Sequence, residues 1–239
     1  MDPEPPLFHS YVEGLDRVLG GGIPKGSTIL VAGTPGTMKT SLILWMMHEN
    51  ARENDTRSLY VSLEQSSDSL RTGAIRMGMS RLDEAHVYIL DMGQLRRGME
   101  RSETKKDWIT ILLEIIKEAV NSTQYSVLAI DSLEALYALT EMANPRREMF
   151  HFLTELKELE LTTFVITETP FGAQRLAQWG EDFLADGILQ LRQVEVGETD
   201  VQLRLRCVKM RWMNHDHNAL ALSHDGDRFL VTHILSKKK

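Results

Sequence analysis

A lysine followed by two hydroxyl residues gives this sequence its clearest chemical signal. Lys39, Thr40 and Ser41 follow a turn that contains two glycines, Gly33-Thr34-Pro35-Gly36-Thr37-Met38. The pattern of Gly, four residues, Gly, Lys and Ser or Thr is typical of loops that bind nucleotide phosphates. Gly33, Lys39 and Thr40 fit this pattern, whereas Met38 stands at the position of the second glycine.

The residue types of this turn suit a nucleoside triphosphate bound with Mg²⁺. Backbone N–H groups of such a turn surround an anion, and the N-terminus of the following helix adds positive potential. Lys39 supplies a cation for the β and γ phosphates, and the Thr40 hydroxyl is a hard oxygen ligand for Mg²⁺. We therefore expect ATP or ADP with Mg²⁺ on residues 33–41. The alternative is an ordinary strand-to-helix turn, and Met38 adds weight to it.

Two carboxylates end segments that are predicted to be strands. Asp131 follows the run 127–130, and Glu64 closes the run 57–64. Ligands of open α/β sheets bind at the carboxyl edge of the strands, so we expect Asp131 to complete the metal site with Thr40. Glu64 is our candidate for the group that polarises the attacking water. Asp131 could instead cap the next turn, and Glu64 could be an exposed strand end. Thr167 is a weaker candidate for sensing the γ-phosphate.

The elements that must position these residues alternate between strand and helix. Strands are predicted near 29–33, 57–64, 86–91, 125–131 and 163–167, with helices near 39–53, 66–77, 104–121 and 145–160. The helix at 104–121 has a capping-box-like start at Thr104 and Asp107. Such alternation predicts a mostly parallel sheet with helices on both faces.

The pattern changes after residue 185. Four strand-like segments, 187–194, 201–209, 220–223 and 229–233, follow one another with no helix between them. They predict an antiparallel β-meander that extends the sheet. Residues 1–10 read as an extended lead-in and 236–239 as a basic tail, so we expect a single domain over 1–239.

Composition and charge narrow the function classes. The 239-residue chain is 42% hydrophobic and 26% charged, as in folded domains. Its net charge of −7 gives no basic field, so nucleic acid is not the expected partner, and no apolar run matches a membrane span. The single cysteine, Cys207, cannot form an internal disulfide, and the acidic N-terminus is unlike a signal peptide. We therefore expect a cytoplasmic protein.

Several segments, taken in order, resemble the KaiC-type branch of the RecA-like ATPases. They resemble its lead into the phosphate loop, its catalytic-glutamate strand, its Walker B strand, its Glu-Glu-Phe-Val-Ser-Asp segment and its Lys-x-Arg-x-x-x-His element. In this chain the corresponding segments are, in the same order, 14–26, 57–64, 127–131, 181–186 and Lys209-Met-Arg211 with His215. One departure is Gln65, where the family has a second glutamate. The resemblance covers nearly the whole chain, about one lobe of the two in clock members of the family.

The resemblance implies a RecA-like fold and a ring, commonly a hexamer, with ATP between subunits. Lys209 and Arg211 would then reach the γ-phosphate held by a neighbour, and His215 would lie near the same nucleotide. The two cations share one strand face and no acidic run lies nearby in sequence, so a neighbour's phosphate is the expected counter-charge. The alternative for both is an exposed strand face. Clock members carry a phosphorylated Ser-Thr pair where this chain has Asp182 and Phe183, so we expect no autokinase activity.

Three functions stay open at this point. The first is a slow ATPase whose cycle acts on an unidentified protein partner, as a regulator or motor component. The second is a nucleotide-gated scaffold with little turnover, similar to the archaeal flagellar motor ATPase FlaH, which Met38 favours. The third is a DNA-binding recombinase similar to RadA or RadB. The acidic charge and the short segment before the ATPase stretch disfavour the third.

Overall fold

A nine-stranded sheet with helices on both faces forms the body of the protein. The computed structural model describes residues 6–79, 82, 85–94, 107–173 and 175–234. The strands are β1 Leu7–Phe8, β2 Ile23–Pro24, β3 Thr28–Gly33, β4 Ser58–Ser62, β5 Val87–Asp91, β6 Val127–Asp131, β7 Thr162–Glu168, β8 Gly187–Val196, β9 Asp200–Met210, β10 Leu220–His224 and β11 Phe229–His233. The helices with described bounds are α1 Leu15–Val18, α2 Lys39–Asn54, α3 Ser67–Arg76, α4 Trp108–Ser122, α5 Leu133–Leu139, α6 Pro145–Lys157 and α7 Glu181–Leu184.

The strand order of the sheet is β11-β10-β9-β8-β3-β7-β6-β4-β5. The six strands from β8 to β5 are mutually parallel. Their register sets Gly33 level with Glu168, and Ser62 level with Asp131. The loops that follow β3, β4, β6 and β7 therefore share one edge of the sheet, where parallel α/β proteins bind ligands.

Alternate residues along the strands pack into two apolar cores, one on each face of the sheet. Ile29 and Val31 of β3 belong to the core that also holds α2 and α3, whereas Leu30 belongs to the core under α4, α5 and α6. The apolar run of α2 explains its deep placement, since Leu42, Ile43 and Met46 are each fully buried. The predicted mixed α/β fold with a mostly parallel sheet is confirmed.

The C-terminal part of the sheet is antiparallel, as predicted. β9 pairs with β8, β10 with β9, and β11 with β10, all in antiparallel fashion. The extended lead-in contributes β1, which pairs with β2 in a separate two-stranded sheet. None of the described helices is long and apolar enough to cross a membrane.

Two helix predictions differ from the structure. α4 begins at Trp108, because Asp107 is its N-cap and accepts hydrogen bonds from the backbone N–H groups of Ile109 and Thr110. The predicted start at Thr104 lies outside the described residues, as does the basic tail 236–239. The seven-residue helix α5 was not predicted, because so short a segment shows little helical periodicity. The assignment of 1–239 to one domain stays a prediction.

Candidate functional site

The turn between β3 and α2 has the tight geometry that an anion-binding loop requires. At Gly33 a Cβ atom would lie 2.6 Å from the Leu191 carbonyl oxygen and 2.8 Å from Thr37 Oγ1, so no side chain fits. Thr37 Oγ1 donates to the carbonyl oxygen of Thr34 at 2.7 Å and closes the turn. Gly36 has a φ of +79°, a conformation that glycine adopts without a Cβ clash. Pro35 and Gly36 are exposed at the tip.

Met38 adopts the backbone conformation that the missing glycine would supply. It is the N-cap of α2 with φ 62° and ψ 24°, in the left-handed region. A non-glycine residue pays roughly 1–2 kcal/mol for that conformation. The partly buried Met38 side chain packs against the core on the α2 face of the sheet, which offsets part of the cost. The departure from the motif therefore leaves the turn intact.

Lys39 is the buried cation of this loop. Its Nζ donates to the carbonyl oxygens of Gly33 at 2.9 Å and Thr34 at 3.1 Å. The same atom lies 3.6 Å from Oε1 of Glu168, the last residue of β7. The Lys39 side chain is only 7% exposed. Its ammonium group is therefore a buried positive charge at the carboxyl edge of the sheet, where a phosphate would be bound.

The predicted partnership of Thr40 and Asp131 is present as a direct contact. Thr40 Oγ1 donates to Asp131 Oδ2 at 2.6 Å, and the buried Tyr60 hydroxyl donates to the same oxygen at 2.5 Å. Burial raises the pKa of Asp131, and the two hydroxyl donors offset part of that rise. Burial and the adjacent Asp131 charge raise the pKa of Tyr60 well above its usual range, so the phenol is a proton donor.

The donor set fits Mg²⁺ bound together with a nucleotide. Among the described residues, no group of three or more His, Cys, Asp or Glu could hold a metal ion by itself. Mg²⁺ favours hard oxygen ligands and is usually held by one or two protein groups plus substrate phosphates. Thr40 and Asp131 supply such oxygens beside the Lys39 ammonium. Ser41, next in α2, is half-buried.

Glu64 lies two residues beyond the end of β4 and is exposed. Its Oε1 accepts a hydrogen bond from Ser132 Oγ at 2.5 Å, and Ser132 directly follows Asp131. The contact ties the Glu64 carboxylate to the edge that carries Thr40 and Asp131. Its part in activating water stays a prediction, and Ser132 was not anticipated from the sequence.

Thr167, a weaker candidate from the sequence, is paired with Glu134, which was not predicted. Thr167 is fully buried, and its Oγ1 donates to Glu134 Oε1 at 2.6 Å. Burial raises the pKa of Glu134, and the Thr167 hydroxyl offsets part of the rise. The hydroxyl of Thr167 is thus engaged within the chain. No helix was predicted around Glu134, so the sequence gave no reason to place its carboxylate beside Thr167.

Lys209 and Arg211 have partners within the chain, which corrects the expectation that they lack a nearby counter-charge. Arg211 Nη1 lies 3.0 Å from Asp186 Oδ1, and its Nη2 donates to the Phe183 carbonyl oxygen at 2.9 Å. Lys209 Nζ donates to carbonyl oxygens of the 182–185 segment, including that of Ala185 at 2.6 Å. Burial, and then the Arg211 charge, lower the pKa of Lys209. Asp186 lies 25 positions before Arg211, so proximity in sequence does not indicate this pair.

Asp186 is the centre of this cationic group. Its Oδ1 also bonds to Lys157 Nζ at 2.9 Å, and its Oδ2 accepts from the Thr28 backbone N–H at 3.1 Å. Burial opposes ionisation, yet the Thr28 N–H, Lys157 and Arg211 together hold the pKa of Asp186 below its ordinary value. The carboxylate therefore stays charged and joins three separate segments.

The Lys209 and Arg211 side chains lie near the amino end of β3, whereas the loop follows the carboxyl end of β3. The Arg211 N–H bonds to the Asp186 carbonyl, and the Asp186 N–H bonds to the carbonyl of Thr28, the first residue of β3. Gly33 lies five residues further along β3, about 16 Å away at 3.3 Å per residue. The structure therefore separates Lys209 and Arg211 from the loop of their own chain.

His215 is turned toward a neighbouring histidine. Its ring centroid lies 4.5 Å from that of His217, and its Nδ1 is 3.4 Å from the Met213 carbonyl oxygen. Its Nε2 is buried without a hydrogen-bond partner among the described residues. The expected place of His215 beside a nucleotide stays a prediction. Cys207 is fully buried, and burial raises the pKa of its thiol to about 12, as expected for a structural residue.

Comparisons with known proteins identify the family of the chain. A protein-family profile described as ATPase: KaiC matches residues 8–224. The chain is 30% identical over 226 residues to circadian clock oscillator protein KaiC 1 of Synechocystis sp. (strain PCC 6803), covering 92% of this chain and 43% of that protein. It is 32% identical over 196 residues to the KaiC of Rippkaea orientalis, covering 80% and 37%. The chain thus spans less than half of the length of these curated relatives.

A solved structure shows the same fold. The crystal structure of a KaiC-like protein from Pyrococcus horikoshii OT3 superposes with a TM-score of 0.81 at 24% identity, covering 95% of this chain and 99% of that one. The similarity in fold agrees with the match to the family profile, which extends over most of the chain. The chain therefore belongs to the KaiC-like ATPases, a family with the RecA-type fold.

Proposed function

We propose that the protein binds ATP with Mg²⁺ on the loop 33–41 and hydrolyses it slowly. In this proposal the chain is one subunit of a nucleotide-controlled ring, a hexamer, that regulates or drives an unidentified protein partner. Hydrolysis, dependence on Mg²⁺ and assembly are three separable parts of the proposal, and each has its own support.

The observation that carries the proposal is the contact of Thr40 with Asp131 beside Lys39. Thr40 Oγ1 lies 2.6 Å from Asp131 Oδ2, and Lys39 lies buried at the start of the same helix. In phosphate-loop ATPases the lysine binds the β and γ phosphates, while the hydroxyl and the carboxylate hold Mg²⁺. When bound, Mg²⁺ would neutralise the charge that develops on the phosphates.

Glu64 is the proposed general base. A water molecule attacking the γ-phosphate must lose a proton, and a carboxylate at the carboxyl edge can accept it. The 2.5 Å contact with Ser132 Oγ supports this role, since it holds Glu64 next to the Asp131 segment.

The proposed assembly is supported by the separation of Lys209 and Arg211 from the loop of their own chain. Along the sheet, Arg211 lies level with the start of β3 and Lys209 lies level with Leu30, about 16 Å and about 10 Å from Gly33, and both side chains bond away from the loop. The loop of another subunit is therefore their proposed target. A cation supplied across an interface couples turnover to assembly, as an arginine finger does. Slow turnover in dilute protein is the expected consequence. His215, in the segment that follows Arg211, is proposed to approach the same nucleotide.

A second candidate function is a nucleotide-gated scaffold with little hydrolysis. The observation that favours it is Met38, a bulky residue at φ 62° in the loop, where the motif has glycine. Binding of nucleic acid is not proposed, given the net charge of −7. Asp182 and Phe183 offer no hydroxyl acceptor, so autokinase activity is not proposed either. One buried cysteine suits the reducing cytoplasm, which is the proposed compartment.

One experiment tests the proposal as a whole. The mass of the protein by light scattering and the release of phosphate would be measured together with ATP, with ADP and without nucleotide, in Mg²⁺. A higher mass with ATP and slow phosphate release are expected. A higher mass without phosphate release would support the scaffold. Failure to bind ATP at millimolar concentration would refute both.

A further inference from the structure

Tyr60 places a phenol hydroxyl inside the buried strand β4. It is the central residue of β4, and it is fully buried. Its neighbour on β6 is Ala129, and Asp131 lies two residues further along β6 on the same face. The small Ala129 side chain leaves room for the phenol ring to extend along β6 as far as the Asp131 carboxylate.

Both hydroxyl donors at Asp131 reach the same oxygen. Tyr60 OH is 2.5 Å and Thr40 Oγ1 is 2.6 Å from Oδ2. Hydrogen bonds to a carboxylate are stronger than those between neutral groups, and two donors on one oxygen fix the orientation of the side chain. No hydrogen bond from a described residue reaches Oδ1, so that oxygen keeps its capacity to accept a bond from a metal-bound water.

We propose that Tyr60 is a positioning residue for the metal part of the site, acting through Asp131. Its hydroxyl holds Oδ2 so that Oδ1 is presented to the hydration shell of the Mg²⁺ that enters with the nucleotide. Groups that orient metal-site carboxylates in this way typically change metal affinity by about 10- to 100-fold when they are removed. The inference rests on the proposed binding of MgATP and adds a residue to that site.

A purely structural role for Tyr60 would look different in one respect. A phenylalanine ring fills the same volume in the core, so packing alone gives no reason for the hydroxyl. The effect of the hydroxyl should therefore appear in metal affinity and not in nucleotide affinity without metal.

The test compares Tyr60→Phe with a matched variant. Tyr137 is a second tyrosine whose hydroxyl donates to a carboxylate, that of Glu181 and not of Asp131, so Tyr137→Phe is the control. Mn²⁺ would be titrated into each full-length protein with ADP, and free Mn²⁺ followed by electron paramagnetic resonance. ADP binding in EDTA would be measured by calorimetry. Tyr60→Phe should weaken Mn²⁺ binding about tenfold or more, while its ADP affinity in EDTA matches the parent.

A second measurement covers the case in which Tyr60→Phe does not fold. With 3-fluorotyrosine in place of tyrosine, the ¹⁹F resonance of position 60 should shift when Mg²⁺ is added to the ADP complex, and that of position 137 should not. Parent-like Mn²⁺ affinity in Tyr60→Phe, or an unmoved resonance, would overturn this inference alone. A parent protein that binds no nucleotide, with or without metal, would overturn the proposed function and this inference with it.

Discussion

Thr40 Oγ1 donates a hydrogen bond to Asp131 Oδ2 at 2.6 Å, although the two residues are 91 positions apart in the chain. Thr40 is in the first turn of α2, which follows β3, and Asp131 ends β6. In the sheet β7 lies between β3 and β6, so the contact spans an intervening strand. It joins the two segments that a Mg²⁺–nucleotide complex would need in one place.

Replacing Lys39 with alanine should remove ATP binding. The buried ammonium is the cation closest to the loop carbonyls, at 2.9 Å from Gly33 and 3.1 Å from Thr34. Loss of a desolvated charge should raise the dissociation constant for ATP by about 100-fold or more. Calorimetry in Mg²⁺ measures this change, with Lys25→Ala, an exposed lysine, as the control. If Lys39→Ala binds ATP as the parent does, the nucleotide site lies elsewhere.

Glu64→Gln should retain ATP binding and lose most hydrolysis. An amide of the same shape keeps an acceptor for the Ser132 hydroxyl but cannot take a proton from water. Turnover should fall about 100-fold or more, the usual contribution of a general base. Phosphate release measures the change, and Glu53→Gln, an exposed carboxylate of α2, is the control. Parent-like release by Glu64→Gln would exclude it as the base.

Met38→Gly should leave ATP affinity within about threefold of the parent, because the backbone already has the conformation of the motif glycine. Met38→Ala is the matched variant, since it removes the side chain and keeps the cost of the left-handed backbone. Urea unfolding should therefore find Met38→Ala less stable than Met38→Gly, by roughly 1 kcal/mol. A rise of tenfold or more in phosphate release by Met38→Gly would show that Met38 restrains hydrolysis, as the scaffold alternative requires.

Mixing Lys39→Ala subunits with Arg211→Ala subunits should restore part of the ATPase activity. In a ring, an Arg211→Ala subunit keeps an intact loop and receives Arg211 from a Lys39→Ala neighbour. Phosphate release after mixing measures the effect. Lys157→Ala is the control for loss of an ion pair, since Lys157 bonds to the same Asp186 oxygen as Arg211. A mixture as inactive as its parts, in a protein that stays monomeric with ATP, would rule out a shared site.

Asp186→Asn should destabilise the protein at neutral pH, and the difference from the parent should shrink in acid. The folded-state pKa of Asp186 lies below its ordinary value of 3.8. A carboxylate of this kind stabilises the fold fully above its unfolded pKa, and the stabilisation is lost as pH falls through the folded pKa. Urea midpoints of both proteins between about pH 7 and pH 3 measure the effect. A difference that does not change with pH would assign the loss to packing.

The sequence was sufficient to place the loop, the parallel sheet and Asp131. Four apolar residues before Gly33 and an apolar run before Asp131 mark strands by local composition, and the parallel order brings their ends to one edge. Local patterns of this kind do not depend on which strands become neighbours.

The partners of these residues could not be predicted, because they depend on register. Tyr60 reaches Asp131 only because β4 pairs with β6 so that Tyr60 lies opposite Ala129. Arg211 meets Asp186 because β9 folds back along β8. Tyrosine in a strand reads as an ordinary core residue, and a single aspartate 25 positions away gives no periodic signal. Side-chain pairing of this sort is set by tertiary structure.

If Arg211 binds a phosphate as proposed, its pairing with the Asp186 carboxylate makes that binding an exchange reaction. Arg211 already holds a charged partner at 3.0 Å, so an incoming anion must displace that partner instead of filling an empty place. The net gain is then the difference between two ion pairs, and a terminal phosphate of higher charge competes better than a weaker anion does. Since Asp186 also accepts the N–H of Thr28 at the start of β3, release of Arg211 would alter the anchoring of the strand that leads to the loop. The choice between anions at Arg211 would thereby be coupled to the position of β3.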